Sequence, residues 1–384
     1  MFRGAFVFIA LLAACNSGTR RIEPAGPKLG TETDPDGPHR AAVAAQVTPY
    51  IDADIVSGVV VGLFDVGKIE IYGFGHGPGG KPPDGHTLFE IGSVTKSYTS
   101  LLFADAIQRR EVELDTPLAD LLPPGVTAPT KDKVAITLRH LALHSSGLPR
   151  LPPSFTTTST DPYARYTEEA LYRDLVQTEL AITPGTQVAY SNFGAGVLGF
   201  TLGKKLGKGY QAMLAERVLA PLGLTETFFV TPPALAAHRT TGTNDDLTAV
   251  PAWNFAALAA AGGLISSVRD QLKLVDAELD AAAGTTQAPL RRAMKLTQEP
   301  QLETSGENEG LGWQIDKSGR YWHNGGTGGF HAFVGFDPKT KRGIVVLAST
   351  STTMIDHLAD TLYDVLDGTA KDPVKFPTSA QLTP

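Results

Sequence analysis

The sequence is poor in cysteine, in long apolar stretches and in clustered positive charge. Its 384 residues include one cysteine, so no disulfide can form within the chain and the folded part must be held by its hydrophobic core. A formal net charge of -7 and the lack of a Lys/Arg block argue against nucleic acid as a partner. With 42% hydrophobic and 19% charged residues, the composition is that of an ordinary globular protein with one large or two small domains.

The apolar run near the amino terminus is too short to cross a membrane and resembles a bacterial lipoprotein signal. Residues 5–12 are apolar and lead into Leu12-Ala13-Ala14-Cys15, whereas a spanning helix needs roughly 20 apolar residues. Leu12 stands where an ordinary signal cleavage site has a small residue, and the cysteine follows the cut. We expect removal of residues 1–14 and acylation of Cys15, which would anchor an exported protein at the periplasmic face of a membrane. The alternative is that Cys15 is an ordinary apolar residue of the signal.

The residue after Cys15 bears on which membrane would hold the protein. Asn16 stands where some inner-membrane lipoproteins have aspartate, which favours the outer membrane. Residues 15–40 are rich in Gly, Pro, Thr and Asp and predict a flexible tether.

The hydrophobic pattern predicts strands at both ends of the chain and helices between them. Alternation over residues 57–74, broken by Asp65-Val66-Gly67-Lys68, predicts a hairpin, and four more strands are predicted within 311–348. Helical periodicity predicts helices over residues 41–50, 167–180, 197–206, 210–219 and 354–366. This order indicates an α+β domain over residues 41–368, with an antiparallel sheet flanked by helices and a helical part inserted at about 97–300. Residues 369–384 predict a loose tail.

One stretch places a nucleophile beside a base. A strand end and a Gly turn lead into a predicted helix over residues 94–109, in which Ser93 and Lys96 lie one turn apart on one face. A buried lysine with a lowered pKa can take the serine proton, and a helix start offers free N–H groups to an oxyanion. Taken alone, such a pair is more often an N-cap serine and a solvated lysine.

Two later stretches supply further chemistry. Tyr190-Ser191-Asn192 precedes a helix, where a tyrosine can pass protons and an asparagine can orient a substrate amide. The run from His323 through Asn324, Gly325 and Gly326 follows a predicted strand, and its glycines allow a substrate backbone to approach. Each stretch alone also fits a plain structural role, as a buried tyrosine, an N-cap asparagine or a Gly-rich hairpin.

Together and in this order, the three stretches resemble the motifs of the serine β-lactamase and penicillin-binding protein superfamily. The likeness is greatest to the branch that holds class C β-lactamases, D-Ala-D-Ala carboxypeptidases and related esterases. It implies that Ser93 is the acylated nucleophile, Lys96 its proton partner and Tyr190 a second acid or base. It also implies that Asn192 binds the substrate amide and that the N–H groups of Ser93 and Gly326 form an oxyanion hole. The sequence leaves open which of Lys96 and Tyr190 takes the first proton.

The third stretch departs from the pattern of efficient β-lactamases, which have Lys-Thr where this chain has His323-Asn324. An imidazole is mostly neutral at pH 7 unless its pKa is raised, so capture of a substrate carboxylate should be weak. We predict that His323, Asn324, Gly325 and Gly326 line the substrate site. The departure lowers the expectation of fast β-lactam hydrolysis and raises that of peptidase or esterase activity.

Other classes of function compete with a serine hydrolase that acts on a small-molecule or peptidoglycan-derived substrate. A lipoprotein that binds penicillin or peptidoglycan without turnover has the same motifs. An α/β-hydrolase is disfavoured because no Gly-x-Ser-x-Gly elbow occurs. His140 and His144 have the spacing of zinc ligands on a helix but lack the adjacent Glu of H-E-x-x-H, so we predict no metal site and no cofactor.

Overall fold

The computed structural model describes residues 34, 36–156, 159–284, 288–303 and 308–376. The predicted signal, Cys15 and most of the predicted tether lie outside the described residues, as does the end of the predicted tail. Within these described ranges, no helix has the length and apolar character that a membrane crossing requires.

One antiparallel sheet of eight strands is built from both ends of the chain, as predicted. It runs in the order β2-β1-β12-β11-β10-β9-β8-β7, so the first hairpin joins the last strand. The remaining strands pair in two small antiparallel sheets, β3 with β6 and β4 with β5. The strands are β1 (Gly58–Asp65), β2 (Lys68–Gly75), β3 (Phe89–Glu90), β4 (Thr130–Lys131), β5 (Val134–Ala135), β6 (Ile265–Ser266), β7 (Leu302–Glu303), β8 (Asn308–Glu309), β9 (Gln314–Ile315), β10 (Tyr321–Gly326), β11 (His331–Asp337) and β12 (Arg342–Ala348).

Helices cover both faces of the large sheet, and most lie between its two halves in sequence. They are α1 (Arg40–Asp52), α2 (Thr95–Gln108), α3 (Leu138–Ala142), α4 (Glu168–Gln177), α5 (Asn192–Lys205), α6 (Tyr210–Leu214), α7 (Ala259–Gly262), α8 (Val268–Ala283), α9 (Pro289–Gln298) and α10 (Met354–Leu366). Helices α1 and α10 pack on one face of the sheet around a core that includes Val59, Val346 and Leu362. The other face packs on α8, and a larger core continues from there into α2 and α5. This mixed architecture confirms the predicted α+β class.

Helix α2 passes through the interior and carries the predicted nucleophile at its start. Its residues from Thr95 to Ala106 are buried, which explains why apolar residues follow one another there as well as at helical spacing. A 3-10 turn, Gly92–Val94, leads into it. A buried helix of this kind holds the residues of its first turn on a rigid support.

Several elements differ from the sequence expectations. Helix α5 begins at Asn192 and not near 197, because Ser191 caps it by accepting the N–H of Gly194 at 2.8 Å. The strand predicted over 311–315 shrinks to β9, and α9 was not predicted at all. The tail has no helix or strand over residues 369–376, yet it contacts the fold, since Gln46 donates to the carbonyl of Lys371 at 2.9 Å and the ring of Phe376 lies 5.0 Å from that of Tyr50.

Candidate active site

The turn that carries Ser93 lies directly against the end of strand β10. Gly92 has φ +48, and a Cβ placed there would lie 2.7 Å from the backbone nitrogen of Gly326. A Cβ on Gly325 would lie 2.1 Å from the carbonyl oxygen of Ile91 and 2.5 Å from the nitrogen of Ser93. Only glycines permit this approach, which brings the backbone of the nucleophile turn against that of the strand end.

Lys96 touches Ser93 and is held by two other groups. Its Nζ lies 2.8 Å from Ser93 Oγ, 2.9 Å from Asn192 Oδ1 and 2.6 Å from the carbonyl oxygen of Ala261. The side chain is buried, and burial together with the nearby charge of Arg150 holds the pKa of Lys96 well below its usual range. The lowered pKa favours a neutral lysine amine beside the serine hydroxyl.

Tyr190 and Asn192 are positioned by the capped start of α5. The hydroxyl of Ser191 donates to the carbonyl of Pro149 at 2.6 Å, and the N–H of Asn192 donates to the carbonyl of Arg150 at 2.9 Å. These bonds fix the Tyr-Ser-Asn stretch against the segment that follows the Gly147-Leu148-Pro149 turn. The side chain of Asn192 then reaches Lys96, so the first two motifs meet.

The phenol of Tyr190 stays protonated at neutral pH. Burial raises the pKa of Tyr190 to about 12, although hydrogen bonding to the Ser93 side chain and the charge of Arg150 oppose the rise. Its ring has Lys96 Nζ at 4.8 Å and the Arg150 guanidinium carbon at 5.2 Å from the centroid. His144 packs beside the same ring, at 4.2 Å between centroids.

Residues of the third motif, His323 to Gly326, lie on two different faces of strand β10. Asn324 lines the main cleft, which also reaches Gly325 and Gly326, but His323 points the other way and is 3% exposed. Burial is the main cause that lowers the pKa of His323 to about 4, so the imidazole is neutral at pH 7. Its Nδ1 lies 2.6 Å from the carbonyl oxygen of Asn324, and the ring lines a small cavity of about 20 Å³ behind Tyr190. The structure thus places His323 beside Tyr190 and away from the main cleft.

The main cleft has a volume of about 540 Å³, and the half-buried Ser93 lies in its wall. One side is aromatic: the ring of Tyr163 stacks on Phe255 at 4.4 Å between centroids and lies 5.4 Å from Trp253. The side chain of Asn192 donates to the Tyr163 hydroxyl at 3.2 Å and accepts from Lys96, which ties this wall to the Ser93–Lys96 pair. Sequence reasoning missed these aromatic residues because they lie far from the motifs and share no pattern with them.

Asn324 and His331, which line another part of the cleft, are both hydrogen-bonded to one carboxylate. Asp356, in the first turn of α10, accepts from Asn324 Nδ2 at 2.8 Å and lies 2.9 Å from His331 Nε2. His331 pairs directly with Gly326 across β10 and β11 and lines the cleft. The sequence analysis missed His331, although its place directly after Gly328-Gly329-Phe330 could have drawn notice.

The histidines with zinc-like spacing have structural roles. The side chain and backbone of His140 exchange hydrogen bonds with Thr137 at the start of α3, at 3.2 and 3.3 Å. His144 Nδ1 accepts the N–H of Ser191 at 3.2 Å. No group of three or more metal-ligating side chains occurs in the part of the chain that the structure describes.

Comparison with known proteins gives a consistent result. The model of the Beta-lactamase family matches residues 43–368. A beta-lactamase of Escherichia coli (strain K12) is 28% identical over 340 residues, covering 79% of this chain and 86% of that protein. The D-alanyl-D-alanine-carboxypeptidase/endopeptidase AmpH of the same strain is 27% identical over 313 residues, covering 77% and 80%. A solved class C beta-lactamase superposes with a TM-score of 0.74 at 22% identity, covering 86% of this chain and 96% of that one, which shows a shared fold.

Proposed function

Because the chain belongs to the Beta-lactamase family and is a serine hydrolase, we propose that it cleaves a β-lactam or a D-Ala-D-Ala-type peptide through an acyl-enzyme on Ser93. The relatives named beta-lactamase and carboxypeptidase support these two substrate classes, which share attack on a carbonyl, acylation of serine and release by water.

The environment of Lys96 is the observation that carries the proposal. A neutral amine has two N–H bonds and one lone pair. Asn192 Oδ1, at 2.9 Å, and the Ala261 carbonyl, at 2.6 Å, can only accept hydrogen bonds, so they take the two N–H groups. In this neutral form the lone pair is left for the third neighbour, the hydroxyl of Ser93 at 2.8 Å, which then donates to the amine. This arrangement orients a base toward the serine proton.

We assign Lys96 as the first base, since its lowered pKa favours the neutral amine whereas Tyr190 remains protonated. Ser93 Oγ loses its proton to Lys96 and bonds to the substrate carbonyl carbon, whose oxygen becomes an oxyanion. The N–H groups of Ser93 and Gly326 would stabilise that charge. Tyr190 then protonates the leaving nitrogen or oxygen as its bond to carbon breaks, and Lys96 returns a proton to Tyr190. Attack by water on the acyl-enzyme regenerates Ser93.

A second candidate is an esterase that acts on uncharged esters. The observation that favours it is the placement of His323, which is buried, neutral and outside the main cleft, so the third motif offers no cation to a substrate carboxylate. A protein that is acylated by penicillin and releases the product very slowly would share the same geometry.

A substrate panel separates these candidates. Residues 16–384, which keep the whole of α1, are purified and assayed against a penicillin, a cephalosporin, a D-Ala-D-Ala peptide and an aryl acetate, with Ser93→Ala as the inactive variant. Ser97→Ala is the matched control, because Ser97 lies one turn further along α2 and its hydroxyl donates to the carbonyl of Val94 at 2.8 Å. We expect hydrolysis of a β-lactam or the peptide by wild type and Ser97→Ala only. Turnover of the aryl acetate alone would favour the esterase, and activity that survives in Ser93→Ala would refute the proposal.

We also propose that Cys15 is lipidated and tethers the domain to a bacterial membrane. The support is the short apolar run that ends in Leu12-Ala13-Ala14-Cys15. The full-length protein expressed in a Gram-negative host should sediment with membranes, and Cys15→Ala should become soluble in the periplasm. A Cys15→Ala protein that remains in the membrane fraction would contradict the anchor.

A further inference from the structure

We propose that Arg150 binds an anionic group on the leaving part of the substrate, so that the cation missing from the third motif is supplied from the opposite wall of the cleft. This inference rests on the acyl-enzyme function proposed above and deepens it by naming the residue that recognises a carboxylate on the departing portion, which β-lactams and D-Ala-D-Ala-type peptides both carry. It assigns specificity to a residue that lies outside all three motifs.

The distribution of charge in the cleft points to Arg150. Its side chain is exposed and lines the cleft, and no other Lys or Arg does so among the described residues. His323 is neutral and faces away, so it cannot take this role. Other arginines pair with carboxylates, as Arg139 does with Asp115 and Arg239 with Glu90, whereas Arg150 forms no ion pair with any residue that the structure describes. Its charge therefore remains available to a ligand.

Backbone hydrogen bonds fix the position of the Arg150 Cα relative to the reacting groups. The carbonyl of Arg150 accepts the N–H of Asn192 at 2.9 Å and that of Phe193 at 3.3 Å, at the start of α5. The adjacent carbonyl of Pro149 accepts the hydroxyl of Ser191 at 2.6 Å. Arg150 is thus bonded to the stretch that carries Tyr190, and its guanidinium lies 5.2 Å from the centroid of that ring.

The position of Tyr190 decides which half of the substrate Arg150 meets. The group that protonates the departing atom must lie on the leaving-group side of the scissile bond, and the proposed mechanism gives that role to Tyr190. The acyl side then falls to Asn192 and the aromatic wall, since Asn192 Nδ2 donates to the hydroxyl of Tyr163 and both residues line the cleft. A guanidinium whose carbon lies over the ring of Tyr190 is consequently placed where the departing portion extends, and its planar fork suits a carboxylate.

Two aryl esters of one acyl group test the proposal. In the first ester the leaving phenol carries a meta carboxylate, and in the second it does not. The ratio of their kcat/KM values measures recognition of the carboxylate alone, because any effect of Arg150 on the pKa of Lys96 or Tyr190 acts on both esters. We compare wild type with Arg150→Gln, Arg150→Lys, His331→Gln, Ser93→Ala and Arg110→Gln. Arg110 is an exposed arginine just beyond the far end of α2 and serves as the matched control.

We expect Arg150→Gln to lower the ratio by about ten- to a hundredfold, the usual effect of losing a hydrogen-bonded charge partner. Arg150→Lys should retain part of the preference, and Arg110→Gln should match wild type. An unchanged ratio in Arg150→Gln would overturn the proposal. So would a fall seen only in His331→Gln, which would place the anion at the opposite wall. If instead Ser93→Ala hydrolysed both esters as fast as wild type, the acyl-enzyme function itself would fail.

Discussion

Replacing Gly325 by alanine should disable the site while leaving most of the fold in place. The added Cβ would lie 2.1 Å from the Ile91 carbonyl oxygen, 2.5 Å from the Ser93 nitrogen and 2.9 Å from the Val94 nitrogen. All three are backbone atoms of the nucleophile turn and cannot rotate aside. Ordinary contact requires the end of β10 to move away from this turn by about 1 Å.

A shift of that size separates the two halves of the proposed oxyanion hole, because the N–H of Ser93 is on the turn and that of Gly326 is on the strand. Displacement by about 1 Å, or loss of one oxyanion donor, costs about 100-fold or more in rate. We therefore expect kcat/KM of Gly325→Ala to fall at least about 100-fold on whichever substrate the wild type hydrolyses best.

Gly326→Ala is the matched comparison. Its Cβ would meet no atom closer than His331 Nδ1 at 3.6 Å, and the substitution keeps the backbone N–H. We expect it to cost less than about tenfold. Circular dichroism and thermal unfolding must show that both variants are folded at the assay temperature. Equal losses in the two variants, or a Gly325→Ala enzyme within a few-fold of wild type, would refute this reasoning about the strand and the turn.

Three further predictions follow from buried ionisable groups. Lys96→Met should lower kcat/KM by about a hundred- to ten-thousandfold, and near-normal acylation of this folded variant would remove lysine as the base. Since burial and Arg150 both lower the pKa of Lys96, the pH profile of kcat/KM on an uncharged ester should rise as Lys96 loses its proton, and in Arg150→Gln that limb should move to higher pH; a limb that stays in place would contradict the coupling. Burial raises the pKa of Glu278 to about 8, so the folded state binds this proton more tightly than the unfolded state and stability should fall as pH rises from about 5 to 8. The expected loss in free energy of unfolding is on the order of a few kcal/mol. Glu278→Gln, which can still accept from Gln298 Nε2, should remove most of this pH dependence in thermal or urea unfolding. An identical pH dependence in the variant would contradict the role of Glu278.

The elements that sequence could predict are those whose signal is local. The helix after Ser93 was placed within one residue at each end, because apolar spacing and a preceding glycine mark it. The hairpin around Asp65 and Lys68 and the helix Met354–Leu366 follow from alternation and helical spacing in the same way. Helix α9 was missed, although Pro289 at its first position is a helix-start signal.

The sequence could predict which residues supply the chemistry of the site, but not how the fold orients them. Ser93, Lys96 and Asn192 were named from their motifs, and the structure brings their side chains within hydrogen-bonding distance. Which face of a strand a residue occupies depends on packing, so adjacent residues His323 and Asn324 could not both point into the cleft. Arg150 and the aromatic wall reach the cleft through tertiary contacts that no local pattern encodes.

The most direct test of the central claim is to locate the acyl group. The protein is mixed with a penicillin and, separately, with an aryl ester, and samples are quenched in acid at intervals. The mass of the intact protein is measured by mass spectrometry, and the modified peptide is then identified by tandem mass spectrometry. The account predicts one acyl group per chain on Ser93 with at least one of the two substrates, decaying as product forms and missing from Ser93→Ala. An acyl group on another residue, or turnover undiminished in Ser93→Ala, would contradict it.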